Sequence, residues 1–307
     1  MFSSSIGGNT VFYPAGLGAA TVYFVDGTNG DDNNGGLSWE NAFATINTAM
    51  TAVGNLGERG RGVVYVAPAG YTEDVVTPLN ADGPFGALIA TNPTGIQSYG
   101  ATWITASTAG AACLTVRARG WYISGFEFDA LADAACIVLG GTTAGNNAAG
   151  TIIENNLIVG QNQGLVGIDW QNGIAGNAMV TIRRNGFFGF TSGSTAGACL
   201  SCTVSGIDQP RFALVEDNWF GDSDNLIDMN PRGFKESIIR RNTFFTNGAN
   251  QNPDEIIDNT GGNDTIIYEN YLPGTYDQAN GYVPGTNDEW AGNYNSLAGG
   301  ITAADPA

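Results

Sequence analysis

The 307-residue chain contains no histidine and a single lysine, Lys235. Without histidine, a Ser-His-Asp or Cys-His nucleophile system is excluded. A zinc site would have only cysteine and carboxylate ligands to draw on. Lys and Arg total 11 against 29 Asp and Glu, for a formal net charge of -18. So few cations cannot neutralise a polyanion, and nucleic acid is not an expected partner. No apolar run approaches the ~18 residues of a membrane span, so no membrane partner is expected. The first residues carry no basic, apolar-cored leader, so no signal peptide is expected. The four cysteines are Cys113, Cys136, Cys199 and Cys202. The last two have C-x-x-C spacing, but their Gly/Ser/Thr-rich flanks do not suit a redox helix start, and small buried residues are the expected role.

What the chain has in excess is glycine, 45 residues, and asparagine, 31 residues. Glycine is thus about twice its usual ~7 %. Many asparagines fall in an internal repeat. Ile153–Ile158, Ile182–Phe187, Val215–Phe220, Ile239–Phe244 and Ile267–Leu272 share the form apolar-x-x-Asn-x-apolar, with Asn156, Asn185, Asn218, Asn242 and Asn270 in the slot. An earlier copy, Ile123–Phe128, has Phe126 there. Each copy is short, β-branched or aromatic, and bounded by Gly and Asn, which predicts a strand and a turn. Recurrence at 24–33 residues, without helical periodicity after Val53, suits a coil of short strands stacked in parallel at about 4.8 Å. Stacked at one corner, the asparagine amides can bond one another and the turn backbone, and Asn tolerates the left-handed conformation expected of that corner. Apolar residues three before and two after each Asn are the expected core.

On these residues the chain resembles the right-handed parallel β-helix, pectate-lyase-like superfamily, over roughly residues 60–290. The resemblance implies an all-β, single-stranded right-handed parallel β-helix of about eight coils with a short N-terminal capping helix. Residues 1–22 read as an N-terminal arm, 23–62 as a loop and capping helix, 63–272 as the β-helix and 273–307 as a C-terminal cover or tail. Val63–Pro68 is the expected first strand. Ser38 is the expected N-cap of a helix running to Val53, with Phe43, Ile46, Met50 and Val53 on its buried face. This opening is similar to that of many extracellular and phage β-helix proteins, including those of phage virions and spikes, where such a helix plugs the first coil.

Four Ile-Asp pairs end in Asp169, Asp208, Asp228 and Asp258. Aligned on successive coils, they would form a column about 5 Å apart, where two carboxylates repel by ~3–4 kcal/mol at an effective dielectric near 20 and ~1 kcal/mol in water. Such a column could hold a shared proton, a cation or a glycosidase carboxylate pair; equally, it could cap turns. Arg232 and Lys235 could add the base and the cation that a lyase on acidic sugars needs. The departures from pectinolytic enzymes are plain: no histidine, and no recognisable calcium cluster. Arg240 and Arg241 beside Asn242, like Arg183 and Arg184 beside Asn185, are expected to pair with acids such as Glu216 and Asp217. Asp26, Asn29, Asp31 and Asn33 are candidate ligands of a single irregular calcium ion, the one cofactor considered, and otherwise turn residues. Trp219 and Tyr271 are expected to face outward; Trp170, Tyr276, Tyr282, Trp290 and Tyr294 are expected in loops or the tail.

Three function classes follow. The favoured expectation is a non-enzymatic virion structural protein, a capsid-decorating, spike or fibre-like β-helix on the virion surface. It would be homo-oligomeric, attached to capsid or tail proteins, and able to bind surface polysaccharide. A polysaccharide lyase or glycoside hydrolase using Asp169, Asp228, Asp258, Arg232 and Lys235 is the first alternative, and an extracellular cell-surface adhesin the second.

Overall fold

The computed structural model describes residues 2–6, 9–13, 20–57, 60–79, 85–91, 101–141, 146–171, 178–191, 197–202, 209–245, 255–295, 300–302 and 306. The apolar triplets flanking each ladder asparagine form short strands, because their side chains alternate between core and solvent with period two. In one coil, Ile152–Glu154 belongs to a first sheet, Leu157–Val159 to a second and Val166–Gln171 to a third. Each strand pairs in parallel with its equivalents one coil before and after. The first sheet has ten strands, from Thr21–Val25 to Glu289–Ala291, and the third has eight, from Val75–Val76 to Tyr282–Val283. The second also has ten; its last, Gly300–Thr302, runs antiparallel to Asn293–Asn295. The result is a right-handed parallel β-helix with eight complete three-strand coils among the described residues.

The corner between the first and second sheets takes two residues. The second is the ladder asparagine. The first adopts the left-handed conformation: Asn155 (φ 57°), Arg184 (φ 55°), Asp217 (φ 57°), Arg241 (φ 52°) and Glu269 (φ 56°). The expectation that the ladder asparagines themselves would be left-handed is therefore corrected: the bend is made one residue earlier, which leaves the asparagine free to point inward and bond. A left-handed L-residue costs ~1–2 kcal/mol, and the buried ladder offsets it.

The core is columnar. Ile153, Ile182, Val215 and Ile239 stack three residues before the asparagines, and Phe187, Phe220 and Phe244 stack two after, all fully buried. The phenylalanine rings lie 4.8 and 5.0 Å apart, tilted by 16° and 14°. Trp170, Tyr282 and Trp290, expected in loops or the tail, are instead buried core residues, while Tyr276 packs half-buried against that core.

At the N-terminal end a helix, α1 (Ile46–Gly54), buries Ile46, Ala49, Met50 and Val53 against the first coil. Each larger apolar side chain among them contributes ~1.5–3 kcal/mol. The expected cap Ser38 makes no capping bond and precedes only a short 3-10 turn, Trp39–Asn41. Thr45 caps α1 by accepting the Thr48 N–H, and Phe43 is buried ahead of the helix. The chain is held extended to residue 45 because Asp32 accepts the Ala44 and Thr45 N–H groups, each at 2.9 Å. The first strand of the β-helix is Thr21–Val25, not the one at Val63. The segment after 272 is not only a cover: Tyr282–Val283, Glu289–Ala291 and Asn293–Asn295 extend all three sheets. Phe2–Ile6 and Asn9–Tyr13 form an antiparallel pair.

Candidate functional site

Along the third sheet, register aligns Asp169 with Ser201, Ser201 with Asp228 and Asp228 with Asp258. The expected aspartate column thus exists with one substitution. Ser201 takes the place assigned to Asp208, which lies outside the described residues. Asp228 and Asp258 occupy neighbouring rungs, ~4.8 Å apart, and Asp169 stands two rungs from Asp228.

The column is not a free acidic stripe. Asp169 and Asp258 are only 2 % and 4 % exposed. Asp169 accepts the Gln171 side-chain amide at 2.6 Å. Asp228 accepts the Asn230 N–H at 3.1 Å, and Asp258 accepts the Thr260 N–H at 2.7 Å. The last two are Asx turns that end the strands. Burial, and then the nearby charge of Asp258, push the Asp228 carboxyl above the ordinary range, while the Asn230 N–H works the other way. Asp228 therefore holds a proton more readily than an isolated surface aspartate.

The cations proposed for catalysis do not join it. Among the described residues, Arg232 and Lys235 form no ion pair with Asp228 or Asp258. Lys235 sits in a separate backbone ladder between Arg211 and Asn263. Three of the four corner arginines pair with acids: Arg240 and Arg241 each reach Glu216 at 2.7 Å, Arg241 also reaches Asp217 at 2.8 Å, and Arg183 pairs with Glu154, whereas Arg184, also expected to pair, forms no ion pair among the described residues.

In the N-terminal loop, Asp26 accepts the N–H groups of Thr28 and Asn29 and the Asn29 amide, and Asp31 accepts the backbone and side-chain N–H groups of Asn33. These bonds shape two consecutive turns and direct both carboxylates at their own loop. Among the described residues, no group of three or more Cys, Asp or Glu converges on one point. The four cysteines are free thiols and buried. Burial raises the Cys199 thiol to about 12, against a weaker lowering by its bond with Ser223.

The second sheet carries the more open constellation. Trp219 and Tyr271 face outward as expected, 37 % and 42 % exposed. Register adds Tyr294 one rung beyond Tyr271, and their rings stack at 5.4 Å and 20°. Phe245 lies over Gly221, where a side chain would collide with its ring, and contacts Phe188 at 5.7 Å and Trp219 at 6.3 Å. At the other end Trp103 lies over Gly70 in the same way and is 43 % exposed. The slot directly after the ladder asparagine predicted Trp219 and Tyr271. Tyr294 occupies that slot after Asn293 and could have been found from it; Trp103, Phe188 and Phe245 had no such signal.

No protein-family model matches the chain, and no curated protein matches it in sequence. Among solved structures, the crystal structure of Escherichia coli YbhC aligns with a TM-score of 0.56 and 12 % identity over 99 % of this chain and 83 % of that one. Pectin methylesterase from Aspergillus niger aligns at 0.47 and 12 % identity, covering 89 % of this chain and 87 % of that one. Pectate lyase Pel9A aligns at 0.48 and 16 % identity, covering 91 % and 71 %. The likeness to YbhC is one of fold alone: the chain is similar to it as a parallel β-helix.

Proposed function

We propose that the chain is a non-enzymatic structural protein of a virion surface, a capsid-decorating, spike or fibre-like β-helix, whose second-sheet face binds surface glycans. The observation that carries the reading is the line of solvent-facing rings on one sheet face, Trp219 and then, past Thr243, the stacked pair Tyr271 and Tyr294. Aromatic faces of this kind stack on the apolar faces of sugar rings or against another surface. The candidate acids support the non-enzymatic side of the reading: Asp169, Asp228 and Asp258 are engaged in their own turns and strands. Attachment to capsid or tail proteins belongs to the same reading. Two experiments test it. An antibody to the chain should decorate purified virions in electron micrographs; particles without label overturn the virion role and favour a cell-surface adhesin. In a glycan-binding assay, Trp219→Ala combined with Tyr271→Ala should weaken binding at least about tenfold, with the circular dichroism spectrum unchanged; undiminished binding overturns the role of this face.

One observation favours a second reading, a glycoside hydrolase. Asp228 and Asp258 are one rung apart, near the ~5–5.5 Å of a retaining carboxylate pair, and the Asp228 carboxyl is raised. Depolymerisation of any acidic polysaccharide by the wild-type protein, abolished by Asp228→Asn, would replace the first reading with this one.

A further inference from the structure

The outer face of the first sheet carries a charge pattern that is its own complement. In register along the coils stand Glu154, Arg183, Glu216 and Arg240, alternating in sign. Beside them runs a column of Ile152, Thr181, Leu214 and Ile238, all half-buried. Read backwards, Glu-Arg-Glu-Arg becomes Arg-Glu-Arg-Glu. A two-fold axis lying along the strands, between the Arg183 and Glu216 rungs, reverses the coil order and keeps each column opposite itself. It sets Glu154 against Arg240 of the second copy and Arg183 against its Glu216. The same axis brings Ile152 to Ile238 and Thr181 to Leu214. In the adjoining corner column it brings Arg184 to Asp217 of the second copy. A parallel arrangement with this column on the axis would instead put Glu on Glu and Arg on Arg.

Two further observations agree. Within the chain Arg183 binds the buried Glu154 through Nε, and Arg240 and Arg241 bind the buried Glu216. Arg184 forms no ion pair among the described residues, although its charge acts on Asp217, so the donors left to share across an interface are the Nη groups of Arg183 and the guanidinium of Arg184. At the end of the apolar column, Ile238, Ile266 and Tyr268 line a depression of about 460 Å³, and the two-fold axis sets Tyr122 of the second copy opposite Ile266. We propose that this first-sheet face docks a second copy of the chain in an antiparallel, isologous dimer. Its self-complementary columns match the requirement of a closed two-fold interface.

The test uses the full chain. Ile152→Cys and Ile238→Cys lie three rungs apart within one chain, ~14 Å, beyond disulfide reach. Under a mild oxidant, the double variant should give a covalent dimer on a non-reducing gel, and neither single variant should; the native cysteines are buried. In sedimentation velocity at micromolar concentration the wild type should run as a dimer. Leu214→Asp should raise the dissociation constant at least about tenfold without altering the circular dichroism spectrum. A cross-linked Ile152→Cys single variant would show a parallel arrangement and overturn the proposal. A wild-type monomer at about 50 μM, well above the micromolar affinities of ordinary interfaces, or an unaffected Leu214→Asp dimer, would overturn it equally.

Discussion

The side-chain amide of Asn185 donates to the carboxamide oxygen of Asn218 one coil further on, at 3.1 Å, and the same oxygen accepts the Asn185 backbone N–H at 3.0 Å. Asn218 in turn donates to the Ile182 carbonyl and to Asn242, each at 3.0 Å. The motif repeats from Asn156 to Asn293. Each rung is buried, so these bonds have no water to replace them.

Asn218→Ala should therefore destabilise the protein by about 3 kcal/mol or more, since buried partners on both neighbouring coils are left unsatisfied. Asn155→Ala, at a half-buried corner position, should cost only about 1 kcal/mol, the penalty of a left-handed Ala. Chemical denaturation of the two variants checks the difference.

Phe220 is sandwiched between Phe187 and Phe244. Phe220→Ala should cost about 3–5 kcal/mol through the lost transfer energy and the cavity. Phe212, 54 % exposed, should tolerate Asn, which also accepts its positive φ. The shift in denaturation midpoint distinguishes them.

The raised carboxyl of Asp228 makes a signed prediction. Between its unfolded and folded pKa the native state holds the extra proton, so stability falls as pH rises through that window. Asp228 is thus a liability at pH 7 that fades as acid protonates it in both states. Asp228→Asn keeps an oxygen to accept the Asn230 N–H and removes the charge. It should raise the melting temperature at pH 7, and the gain should vanish below the ordinary aspartate range. An equal gain at all pH values would assign the effect to packing.

All four thiols are buried, and burial holds those of Cys136 and Cys199 above their ordinary value. A thiol reagent at pH 8 should label none of them in the native protein and all of them after unfolding. Rapid labelling of Cys199 and Cys202 alone would point to a reactive C-x-x-C pair.

The features of the fold legible in the sequence were those repeated at every coil. A corner that needs a side chain able both to donate and to accept writes Asn at near-constant intervals, and its flanking apolar columns follow. Asn293 departs from the repeat form because the residue two beyond it is Asn295. That residue bonds the Leu272 and Gly274 carbonyls instead of entering an apolar stack. The helix starts at Ile46 and not after Ser38 for a different reason. Ser38 and Thr45 are both competent caps, and the choice is made by Asp32, which reaches Ala44 and Thr45 from 12 and 13 residues away. Asp169, Asp228 and Asp258 share one column, but the chain takes ten residues from Phe188 to Ala198 against seven from Val159 to Val166, which sets Ser201 in register; Asp208 lies seven residues too far along the sequence. Burial of those acids depends on what surrounds the sheet, which no spacing encodes.

The asparagine ladder has a mechanical consequence. Its rungs join residues 29, 33, 24, 28 and 23 apart, and each ladder asparagine bonds the coils directly before and after its own. A chain pulled from its C-terminal end should unzip rung by rung, each rupture freeing a near-constant contour of ~80–115 Å at ~3.5 Å per residue. The force trace of such a molecule is a regular sawtooth, and it lets the protein yield gradually under load where a single cooperative core would fail at once.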